Sequence, residues 1–126
     1  MAGDRQKELC TLERVSHTFS LEHGRELQVL KNINVTLYQG EVVAFLGPSG
    51  CGKTTSLKIV SGLITPSDGR VLVHGRPLKG INEHIAMVFQ NVSLLPWYNV
   101  EQNIGLGLRP DLFTRRQVTL RVNEAI

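Results

Sequence analysis

Between residues 47 and 54 the chain reads Gly47-Pro48-Ser49-Gly50-Cys51-Gly52-Lys53-Thr54, which fills every fixed place of the pattern G-x-x-x-x-G-K-[ST]. The pattern also demands a strand before it and a helix after it, and both are legible. Val42-Val43-Ala44-Phe45-Leu46 is a continuous apolar run between Gly40-Glu41 and Gly47, as expected of a strand buried on both faces in a parallel core sheet. Residues 53–61 follow with Leu57, Val60 and Ile64 at helical spacing, and Gly62 stands where a helix would be capped.

Such a loop serves one kind of ligand well. A triphosphate carries several anionic oxygens, and main-chain N–H groups at a helix N-terminus bind them with help from the helix dipole. Gly50 and Gly52 let the backbone turn and come close, forming an anion-binding nest. Lys53 sets an ammonium against the β- and γ-phosphates, and Thr54 offers a hydroxyl to Mg²⁺. Cys51 lies inside the loop, where the backbone does the binding, so it reads as a modifiable bystander and not as a nucleophile. The bland alternative is a glycine-rich turn beside a surface lysine.

The flanks predict the remaining architecture. Residues 12–19 and 27–38 partly alternate apolar and polar positions around a polar stretch at 20–26, which predicts an antiparallel pair. Thr65-Pro66-Ser67-Asp68-Gly69 is a turn cluster, and residues 71–73 and 85–89 read as strands, the second ending at Gln90. Residues 91–99 read as a loop around Pro96, followed by helices near 100–108 and 114–126. The 126 residues are 41% hydrophobic, enough for one domain with a core. Apolar runs of five residues are far short of the roughly 20 that span a bilayer. No apolar segment follows the charged N-terminus, which argues for a cytosolic chain. Two cysteines, Cys10 and Cys51, form neither a disulfide framework nor a zinc site. The net charge of +3 is spread along the chain, with Arg115-Arg116 the only adjacent basic pair, so nucleic acid is not the expected partner.

Several short stretches resemble the ATP-binding cassette (ABC) family. They are Gly40-Glu41-Val42, Thr55 after the loop, Ser61-Gly62-Leu63, Pro66-Ser67-Asp68-Gly69 and Val88-Phe89-Gln90. The similarity runs from about Leu9 to the last residue. Leu94-Leu95-Pro96-Trp97 with Val100-Glu101-Gln102-Asn103-Ile104 looks like the ATPase subunits of nitrate, sulfonate and taurine importers. This implies an α/β P-loop NTPase with a RecA-like parallel core sheet. An antiparallel β subdomain would occupy about 9–40, the P-loop core 41–98, and the start of a helical subdomain 99–126.

By the same resemblance Gly47, Pro48, Ser49, Gly50, Cys51, Gly52, Lys53, Thr54 and Thr55 hold Mg-ATP, with Thr55 on the α-phosphate. Phe19 stacks on adenine, its alternative being a core or edge-strand phenylalanine. Gln90 touches Mg²⁺ and the attacking water, its alternative being a polar strand end. Trp97 and Tyr98 either dock a helix of a membrane partner or pack beneath their loop. His17, His23, His74 and His84 all precede Gln90, whereas the family's switch histidine comes later, so none is expected to be catalytic.

The implied partners are a second ATPase subunit, permease subunits and a solute-binding protein, at the inner face of the plasma membrane. No apolar strand ends in Asp-Glu; Asp68 lies in a turn and Asp111 in a Pro-containing loop. The Leu-Ser-Gly-Gly-Gln signature is absent as well. The expectation is therefore an N-terminal part of a cassette, with an open apolar sheet edge, that binds nucleotide at most weakly and hydrolyses little or none alone. Two other readings share the loop: an ABC-type ATPase with no membrane partner, and a non-catalytic nucleotide-binding fragment.

Overall fold

The computed structural model describes residues 7–90, 94–108 and 112–126. The loop expected at 91–99 falls partly outside them, and so does Asp111. They form two compact units, residues 1–87 and 88–126. Among the described residues no helix is long and apolar enough to cross a membrane.

The first unit is a four-stranded antiparallel sheet with one helix against it. Strands β1 (Glu8–Ser20) and β2 (Glu26–Tyr38) pair as the alternating pattern predicts, and β3 (Asp68–Val73) and β4 (Arg76–Pro77) extend the sheet in the order β2-β1-β3-β4. The buried positions of β1 are Cys10 and Leu12, then Val15 and His17. Strict alternation would have sent Val15 to the opposite face, since side chains in a strand repeat every two residues. One inserted residue corrects the phase: Arg14 takes a left-handed φ of 50°, and the β1–β2 register shifts between Leu12 and Val15. Neighbouring side chains pin this bulge. Arg14 N donates to Asn34 Oδ1 at 2.9 Å, and Asn32 N donates to Ser16 Oγ at 3.0 Å.

Helix α1 (Lys53–Val60) supplies the other half of the core. Ile59 and Val60 pack with Cys10, Leu12, Val15, Leu30 and Val71. Burial there pushes the Cys10 thiol above its ordinary value. Gly62 ends the helix as expected, with φ of 75°: its N–H donates to Ile59 O at 3.0 Å, and Leu63 N–H donates to Lys58 O at 2.9 Å. This paired arrangement satisfies carbonyls that the last turn would otherwise orphan. Buried Asn82 adds to it, donating through Nδ2 to Val60 O at 3.3 Å.

Residues 42–46 and 85–89 depart from the sequence expectation. Neither is in a ladder, and the sheet of the described residues is antiparallel throughout. Val42 and Leu46 are 97% and 91% exposed. A run that is apolar on both faces becomes a strand only between two others, because its amides and its side chains both need neighbours. No described segment supplies them.

In the second unit α2 (Val100–Gly105) and α3 (Arg115–Ala125) pack together, with Val122 buried. Both begin with reciprocal caps: Asn99 with Gln102, and Thr114 with Gln117. Asn103 ties the preceding loop to α2. Its Oδ1 accepts from Leu95 N at 2.8 Å, and its Nδ2 lies 3.2, 3.0 and 3.0 Å from the carbonyls of Leu95, Tyr98 and Asn99. Trp97 is 71% exposed, so it does not pack beneath this loop.

Three stability outcomes follow from this packing. Leu12→Ala, at a side chain 1% exposed, is expected to cost about 3 kcal/mol by denaturant unfolding. Asn103→Ala should cost about 2 kcal/mol and strip hydrogen-exchange protection from the Leu95 amide, whereas Trp97→Ala should stay within about 0.5 kcal/mol.

Candidate nucleotide-binding site

The loop ahead of α1 owes its shape to two glycines. Gly50 and Gly52 have φ of 82° and 92°, in the left-handed region that side-chain-bearing residues resist. Gly52 is also seated on β2: a methyl group added there would lie 2.6 Å from Leu30 Cδ2 and 2.9 Å from the Val29 carbonyl oxygen. Only hydrogen fits. Gly52 is in turn the N-cap of α1, makes no side-chain cap, and is followed by a first turn free of acidic residues. The amides of Lys53, Thr54 and Thr55 therefore have neither an in-helix acceptor nor a carboxylate to answer them. Ser56 N closes the first helical bond, to Gly52 O at 2.8 Å.

Lys53 folds back over its own loop. Its Nζ donates to Gly47 O at 2.8 Å and Pro48 O at 2.6 Å, and lies 3.5 Å from Cys51 Sγ. An ammonium is thus held at the centre of a ring of backbone beside free helix-start amides. This constellation attracts a compact polyanion. Thr54 is exposed and Thr55 half-buried, both in the first turn of α1. Pro48, Ser49 and Cys51 are exposed on the loop, and Cys51 N donates to Pro48 O at 3.4 Å.

Phe19 lies on the sheet that carries the loop. It pairs with Leu27 of β2, two to three residues from the Val29–Leu30 seat of Gly52, which is roughly 7–10 Å at the rise of a strand. At 36% exposure it presents part of its ring to solvent. Gln90 is exposed and belongs to the second unit. Residues 47–55 are therefore one built site, with Phe19 on the same sheet. The contact of Gly52 with Val29 and Leu30 joins segments more than twenty residues apart, and nothing local in the sequence announces it.

Residues 30–126 match the family described as ABC transporter. The chain is 42% identical over 99 residues to the taurine import ATP-binding protein TauB of Ruegeria pomeroyi, spanning 79% of this chain and 37% of that protein. It is 39% identical over 124 residues to the Fe(3+) ions import ATP-binding protein FbpC of Escherichia coli, spanning 96% and 34%. Its fold matches a dimeric ATP-binding cassette solved with ADP and Pi, at a TM-score of 0.78 and 25% identity, covering 92% of this chain and 55% of that one. The chain spans about two fifths of the length of the taurine import proteins it matches. A glycine-shaped loop with unanswered helix-start amides and a lysine ammonium, set on an α/β cassette fold and carried by a match over most of the sequence, leads to one assignment: the chain belongs to the ABC transporter family and has the P-loop NTPase fold of its ATP-binding subunits.

Proposed function

We propose that the protein binds Mg-ATP through residues 47–55 and, as an ATP-binding subunit, energises import of a small anion such as nitrate, a sulfonate or taurine. The observation that carries this is the start of α1: uncapped amides and the Lys53 ammonium converge on one loop shaped by left-handed Gly50 and Gly52. An anion placed there gains charge-assisted hydrogen bonds without rearranging the helix.

Each residue then has a task. Amides of Gly50, Gly52 and Lys53 hold the β-phosphate. Lys53 Nζ turns from the Gly47 and Pro48 carbonyls to the β- and γ-oxygens. Thr54 holds Mg²⁺ through its hydroxyl, and Thr55 bonds the α-phosphate. When bound, Mg²⁺ offsets the charge that shifts to the leaving oxygens. By the family resemblance Gln90 would contact the metal and the attacking water through its neutral amide, and Phe19 would stack on the base. In this reading the segments 9–40, 41–98 and 99–126 are the antiparallel β subdomain, the P-loop core and the start of the helical subdomain.

Within these 126 residues no apolar strand ends in Asp-Glu. Their own work is therefore binding and positioning, and hydrolysis calls on groups supplied elsewhere in a complete cassette. The partners we infer are a second such subunit and membrane permeases served by a solute-binding protein, with the subunit on the cytoplasmic face of the plasma membrane. The names of the taurine, iron and bicarbonate import relatives support an importer without fixing the solute.

Titration with a fluorescent ATP analogue checks the site. Lys53→Ala should weaken binding about 10- to 100-fold, the loss of hydrogen bonds to a charged group. Unchanged affinity would remove the phosphate assignment. Gly52→Ala should impair both binding and folding, since its methyl group meets Leu30 and the Val29 carbonyl.

A further inference from the structure

Of the four histidines, His17 is the buried one, at 8% exposure; His23, His74 and His84 are exposed. It stands on β1 two residues before Phe19, so both side chains leave the same face of the strand. Their rings meet edge-on, with centroids 4.5 Å apart and planes at 83°, the geometry that aligns a ring edge with a π-face. Behind His17 sits Ser67, whose Oγ lies 3.4 Å from His17 Nδ1. Ser67 is itself fixed to β1 on either side of the histidine: its N–H donates to Ser16 O at 2.9 Å, and its Oγ accepts from Thr18 N at 3.1 Å. Across the ladder His17 is paired with Leu30, the residue on which Gly52 of the loop is seated.

We propose that His17 is a positioning residue for the base end of the nucleotide site: held by Ser67, it fixes the Phe19 ring as a preformed stacking platform. This rests on the reading above that Phe19 stacks on the base. A solvent-facing phenylalanine otherwise samples several rotamers, and immobilising one on binding reduces affinity. The His17 ring, packed crosswise against it, removes that freedom before the ligand arrives. Its effect should fall on the base and spare the phosphates, because its link to the loop runs through Leu30, its ladder partner and the seat of Gly52.

Equilibrium binding of ATP and of inorganic tripolyphosphate to the full chain and its variants tests this. His17→Ala should weaken ATP binding about 3- to 10-fold and leave tripolyphosphate within about two-fold. His17→Phe, which keeps a ring against Phe19, should restore ATP affinity. Phe19→Ala should show the same ATP-selective loss, and His17→Ala added to it should cost nothing more. Equal losses for both ligands in His17→Ala, or an additive loss in the double variant, overturn the proposal.

An ATP-selective loss in Phe19→Ala with none in His17→Ala overturns the role of His17 alone. No such loss in Phe19→Ala withdraws the base-stacking reading and the proposal with it. Should His17→Ala fail to fold by circular dichroism, Ser67→Ala replaces it. An ATP-selective loss of about two- to three-fold is then expected, and none overturns the proposal.

Discussion

Gly52 seated against the Val29 carbonyl and the Leu30 side chain of β2 is the contact from which the first unit is organised. It lets the start of α1 come close against the sheet, which brings Ile59 and Val60 down on Leu12, Val15 and Val71. The same seat leaves the N-cap without a side chain and the first amides of the helix unanswered. One close approach thus serves packing and binding together. A larger residue would lift the helix end from the sheet.

The core beneath depends on a second local device, the bulge at Arg14. A strand alternates faces with a period of two, and the β1 sequence places core residues at 10, 12, 15 and 17. One extra residue in a left-handed conformation, tied through Asn34, reconciles the two halves. That phase change also turns His17 inward beside Ser67 and sets Phe19 at the sheet's solvent border. The base end of the proposed site is in this sense a consequence of how the strand keeps its core in phase.

The second unit uses hydrogen bonds where the first uses apolar contact. Its helices have a single buried side chain between them, Val122. Order at the 95–99 loop comes instead from the amide of Asn103 and the Asn99–Gln102 cap. Held in this way, the loop keeps Trp97 in solvent without burying apolar surface beneath it.

Read alone, the sequence was sufficient for the loop at 47–54, the helix that follows it, the Gly62 stop and the antiparallel β1–β2 pair. These rest on local rules: glycine's access to left-handed backbone, helical spacing, alternation and cap chemistry. It could not place the Arg14 bulge, the Asn82 tether or the burial of His17, because each depends on a partner far along the chain. It also expected strands at 42–46 and 85–89 that the described residues leave unpaired. An apolar run records a preference for burial, but a strand exists only where another strand offers its hydrogen-bonding edge. Local chemistry therefore determined what the loop can grip, and only tertiary contact decided which segments became sheet and which side chains came to face the site.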